Sequence, residues 1–154
     1  GWPAAGLAYH ESREWVTRAG YGPERAGAIE VCNAENYLLW RAEQPYSVLH
    51  ELAHAYHLRL AGAHDRVREA YSAAKAAGGY EKVEYALSDE PRRAYAMNNE
   101  KEYFAELTEA WFGLNDYGPR TREDLVAFDP RGAALIKELW SLPGDEIAKI
   151  RKDP

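Results

Sequence analysis

Two histidines four residues apart, with a glutamate directly after the first, make the most chemically specific pattern in the chain: His50-Glu51-Leu52-Ala53-His54. On a helix, positions four apart lie one above the other on one face. Two imidazoles so placed can reach one ion, and zinc takes nitrogen ligands of this kind. Glu51 leans toward the open side of such an ion, where it can take a proton from a water. The chemistry this implies is hydrolysis, with a peptide bond as the first candidate substrate.

A catalytic zinc needs a third protein ligand and an open position. The extended form H-E-x-x-H-x-x-G-x-x-H fails here, because His57 stands at the glycine position and Leu60 at the last histidine position. His57 lies seven residues from His50 on the same face, and a straight helix carries such a side chain past the ion rather than around it. His64 and His10 are weaker candidates still. The other source is a later helix. Glu102, Glu106 and Glu109 fall at i, i+4 and i+7, with Phe104, Leu107 and Trp111 mainly to the other side. Taken alone this is an ordinary solvated acidic face. Beside the motif helix, one of these carboxylates is needed to complete the site.

The two segments together resemble the gluzincin metallopeptidases, whose third zinc ligand is a glutamate on a downstream helix. Within them the chain is similar to the lethal-factor-like branch, in which a tyrosine precedes the ligand glutamate by seven residues and N-E-x-E-F-F-A-E surrounds it. Tyr95 stands seven before Glu102, and Asn99-Glu100-Lys101-Glu102-Tyr103-Phe104-Ala105-Glu106 matches position by position, with Tyr103 in place of a phenylalanine. The resemblance implies one catalytic Zn²⁺ on His50, His54 and Glu102, with Glu51 as general base. It implies Tyr95 as the phenol that stabilises the oxyanion, with Tyr85 and Tyr103 as alternatives, and Glu106 as a carboxylate that orients a ligand imidazole. It also implies an α+β, zincin-like fold: a small mixed sheet packed on the His-bearing helix and a second, Glu-bearing helix, with a helical C-terminal part. The run 103–116 looks like a family of uncharacterised bacterial and fungal proteins with a metallopeptidase-like domain, from which Tyr117-Gly118-Pro119-Arg120 departs. The resemblance covers roughly residues 44–57 and 93–116 and is weak elsewhere.

The elements that must position these residues follow from local signals. The motif helix is expected over 46–61, ended by Gly62, with Leu49, Leu52, Ala53, Tyr56 and Leu60 as its apolar stripe. The glutamate helix is expected over 99–112, stopped by Gly113. A helix over 12–19, capped by Ser12, has Trp15 and Val16 facing inward. Residues 28–32 alternate as a strand does, and 37–40 read as a second short strand after a turn. A helix over 65–77 is capped by Asp65 and stopped by Gly78. Residues 80–87 and 92–97 read as paired strands around a turn at 88–91. Helices over 122–128 and 131–140 follow, then a break at Pro143-Gly144 and a charged tail. Either early strand is a candidate to pair with an extended substrate backbone.

At 154 residues a single domain is the natural reading, and 46% hydrophobic residues are enough for its core. The net charge of -6 argues against nucleic acid or an anionic membrane as the main partner. Cys32 is the only cysteine, so no intramolecular disulfide forms and a cysteine-based zinc knuckle is excluded. No apolar run is long enough to span a membrane, and no signal peptide is visible. A soluble monomer is expected, and a start at Gly1 leaves trimming and export open. Three functions compete: a zinc endopeptidase acting on a peptide or protein, a catalytically silent zincin-fold module that binds a partner protein, and a helical interaction domain whose histidines are simply buried. An intact Glu51 favours the first over the second, because a structural site has no need of a base.

Overall fold

The computed structural model describes residues 6–60 and 62–141. The break at Pro143-Gly144 and the charged tail lie outside the described residues, as does Ala61. Among the described residues the architecture is α+β: seven helices and two separate antiparallel two-stranded sheets. One mixed sheet was expected, and each pair instead closes locally. Strand β1 (Leu7–Tyr9) pairs with β2 (Ile29–Val31), and between them stands α1 (Arg13–Arg18). Ser12 caps α1 by accepting from the Trp15 amide. Val16 is buried, but Trp15 is 39% exposed and lies against His10 rather than in a core.

Residues 37–40 are not a strand. They form α2 (Ala34–Trp40), because Asn33 takes an extended backbone and its side chain accepts from the Asn36 amide, which starts a helix. Helix α3 (Ser47–Arg59) carries the histidine motif, and Leu52, expected in its apolar stripe, is 48% exposed. Helix α4 (Ala63–Ala77) begins at Gly62 without a side-chain cap, and Asp65 pairs with Arg68 instead of capping it. Gly78 ends α4 at φ 73, a left-handed conformation that suits glycine.

The second sheet pairs β3 (Val83–Tyr85) with β4 (Ser88–Arg92), so the expected turn at 88–91 is itself strand. The expected return strand at 92–97 becomes a 3-10 turn, Tyr95–Met97. The loop at 116–118 adds to β3: the Ala86 amide donates to the Asp116 carbonyl and the Gly118 amide to the Glu84 carbonyl. Helix α5 (Glu100–Phe112) follows, then α6 (Arg122–Phe128) and α7 (Pro130–Leu139). Thr121 and Asp124 close a capping box at the start of α6.

The core lies between α3, α4, α5 and α7, around Phe104, Leu107, Val67 and Ile136. Helix α5 is buried along most of its length, from Tyr103 to Ala110. Asp129 resolves a polar problem inside this core: its carboxylate accepts from the Tyr103 and Tyr80 hydroxyls and caps α7 at Gly132. Trp140 stacks on Tyr56 with centroids 4.1 Å apart and donates to Thr108, so the end of α7 fastens α3 and α5 together.

Candidate metal centre and adjoining cleft

Helices α3 and α5 pack against one another, and their facing sides carry the candidate ligands. His50 Nε2 lies 2.9 Å from Glu102 Oε2, and His54 Nε2 lies 3.4 Å from the same oxygen. The two imidazole rings stand nearly edge to face, 4.7 Å apart between centroids. Donors about 2.0–2.1 Å from a tetrahedral ion stand roughly 3.3 Å from one another. The two distances from Glu102 bracket that spacing, and all three donor atoms lie within 4.8 Å of one another. Asn99 places Glu102: its side-chain oxygen accepts from the Lys101 and Glu102 amides, fixing the turn from which the carboxylate projects.

His50 is held from its other nitrogen. Its Nδ1 lies 2.7 Å from Glu109 Oε1 and 3.7 Å from Glu106 Oε1. The carboxylate bonded to this imidazole is therefore Glu109, one turn further along α5 than Glu106, which was expected in that place. Glu106 instead accepts from Asn115 Nδ2. With Nδ1–H donated to Glu109, a neutral His50 would present Nε2 as its lone-pair nitrogen, the tautomer a metal ligand needs. His50, Glu106 and Glu109 form a second possible ligand group, but one that would use the nitrogen already engaged. His54 differs from His50, since its Nδ1 is buried without a partner.

Burial opposes charge on His50, but hydrogen bonds to Glu102 and Glu109 outweigh it and raise its pKa well above the usual range. Burial also works against an ionised Glu102, and the His50 and His54 rings overcome it, holding this carboxyl at about 2. Glu106 has less help. Burial pushes it up to about 8 against the opposing pull of His50, with Glu109 adding to the rise.

A cavity of about 420 Å³ opens beside this cluster. His50 and Glu51 line it from α3, Glu106 and Glu109 from α5, and Tyr95 from the preceding 3-10 turn. Trp40, Tyr85 and Tyr117 form aromatic walls, and Gln44 donates to Asp116 across the rim. The Tyr95 ring is 6.3 Å from the His50 ring. Burial and the neighbouring carboxyls push its phenol up, which keeps it protonated as a donor. Glu51 accepts a hydrogen bond from the Tyr9 backbone amide of β1 at 2.7 Å.

The structure thus brings His50, Glu51, His54, Glu102, Glu106 and Tyr95 together. His57 and His64 pair with each other elsewhere, ring on ring, and His10 bonds to Glu30. Tyr85 reaches the cavity, whereas Tyr103 is in the core on Asp129. The sequence reading passed over Glu109 as a specific partner, the Tyr9 amide, and the Trp40 and Asp116 walls. Of these only Glu109 carried a signal, as the third carboxylate on its face. The chain matches no protein-family model, no curated protein and no solved structure.

Proposed function

We propose that the chain is a zincin-like, gluzincin-type zinc peptidase with His50, His54 and Glu102 as metal ligands. The observation that carries this reading is the convergence of two Nε2 atoms and one carboxylate oxygen at 2.9 and 3.4 Å, on helices brought together by the core. When bound, zinc supplies Lewis acidity and lowers the pKa of water toward about 7. The chain's own residues do the rest. Glu51 takes a proton from the attacking water and later delivers it to the leaving amine. Tyr95 offers its phenolic proton to the carbonyl oxygen as negative charge grows there, a contact of the kind worth about 3 kcal/mol. Glu109 holds His50 in its ligand tautomer. The adjoining cavity gives a peptide access to Glu51 and Tyr95 from one side.

The test is zinc content together with cleavage of a peptide mixture, wild type beside Glu51→Gln. The expected result is about one zinc per chain in both proteins and cleavage by the wild type alone. Zinc without cleavage of any peptide would favour the silent partner-binding module. An absence of zinc would remove the reading altogether.

A further inference from the structure

We propose that the backbone N–H of Tyr9 is a positioning group for the base, setting the Glu51 carboxyl for proton transfer. The inference rests on the peptidase reading above. It starts from the register of β1. The Cys32 amide donates to the Gly6 carbonyl, and His10 both donates to Ala28 and accepts from Gly27. In an antiparallel ladder the bonded residues alternate, so Gly6, Ala8 and His10 turn their backbone toward β2. Leu7 and Tyr9 turn theirs away. The Tyr9 amide finds its partner across 42 residues of sequence, in Glu51 Oε2.

A glutamate side chain has three torsions, and the last is broad. A fixed donor on Oε2 restricts them and leaves Oε1 as the oxygen that takes the proton. The segment is tied on its other side as well. Glu11 forms an ion pair with Lys101 Nζ at 2.6 Å, and Lys101 directly precedes Glu102. Residues 9–11 therefore form a strap across both motif helices, touching the residue after one ligand and the residue before another. No residue of β1 is itself buried, and these two ties add to the hold of His10, which is buried and bonded to Glu30. Orientation of a base within a fraction of an ångström is worth an order of magnitude or more in rate.

The side chain of Tyr9 plays no part in this bond, so the test changes the backbone. Cys32 is the only cysteine in the sequence. The full chain can therefore be joined from a synthetic 1–31 thioester and recombinant 32–154, with the amide nitrogen of Tyr9 replaced by an ester oxygen. The same replacement at Leu7 is the control, because its N–H also faces away from β2 but is not bonded to Glu51. All proteins are loaded with zinc and assayed on a peptide that the wild type cleaves. The ester at Tyr9 is expected to lower kcat by at least about tenfold, with KM changed less than about twofold and zinc content unchanged. The Leu7 ester is expected to hold kcat within about threefold of wild type. In a Glu51→Asp background, too short to reach the strap, the Tyr9 ester is expected to add no further loss. An unchanged kcat, an equal fall in the Leu7 ester, or a loss of folding or zinc in the Tyr9 ester would each overturn the proposal. A zinc-loaded wild type that cleaves nothing would instead fail the peptidase reading, before any ester is made.

Discussion

Residues 47–141 and residues 6–46 are built in different ways. Every member of the main apolar core comes from the first group, beginning at Ala53. In the second, His10 and Val16 are the buried residues among those described, and α2 leaves Leu38 and Leu39 at 60% and 72% exposure. The proposed ligands stand on helices of the packed part. Trp40 and Gln44, on the rim of the cavity, and the Tyr9 amide, on the proposed base, come from the thin part, opposite Tyr85, Tyr95 and Tyr117 of the packed part. Regions with few buried apolar contacts open at low free energy, whereas a core opens only with the whole fold. The proposed ligands therefore stand on the rigid part, and one wall of the cavity stands on the soft part.

The contrast can be tested by perturbing each part. The largest effect is expected in the packed part. Phe104 is fully buried between His57 and the Trp140 ring, and Phe104→Ala should lower unfolding stability by about 3–5 kcal/mol in chemical denaturation. A smaller loss would mean that α5 is less rigid than its burial implies.

Acid should act on the same region. Burial holds the His57 ring neutral, with a pKa of about 4 in place of 6.5, helped by the His64 and His54 rings. The unfolded chain protonates this residue near 6.5, and the folded chain resists until about 4. Stability from this group is therefore full above pH 6.5 and is lost as the pH falls toward 4, by on the order of 3 kcal/mol. In metal-free protein, His57→Gln should flatten the fall of Tm across that interval. An unchanged slope would assign the acid sensitivity to other groups.

At the boundary between the parts, Glu109→Gln should weaken zinc binding by about 10- to 100-fold, as loss of a partner behind a ligand imidazole does. Glu106→Gln should weaken it less, since Glu106 stands 3.7 Å from His50. The reverse order in a zinc titration would show that α5 rotates when the ion binds. Smallest of all, Leu39→Ser on the exposed face of α2 should change stability by no more than about 0.5 kcal/mol.

Local rules made much of this legible. Ser12 and Gly78 act within one turn of themselves, and each starts or ends a helix where its type predicts. The histidine spacing works in the same way, because helix geometry alone sets it. The misread elements are those decided by distant packing. Tyr37-Leu-Leu-Trp40 has strand-like composition, but the Asn33 cap starts a helix that runs through it. The choice between Glu106 and Glu109 depends on how α3 crosses α5, which no residue of either helix encodes by itself. The Tyr9 amide left no trace in residue type, since any residue except proline offers the same N–H.

One oxygen atom, on the side chain of Asn99, has a wider consequence. It receives both the Lys101 and Glu102 amides, so the bond that begins α5 is also the bond that aims the carboxylate toward the two imidazoles. With Glu102 as the proposed ligand, helix initiation and ion capture would not be separately adjustable traits. A chain drifting under weak selection could not then loosen this end of the helix while keeping the proposed ligand in place. In a population of variants, metal occupancy would become a gauge of local fraying, falling while the rest of the molecule is still folded.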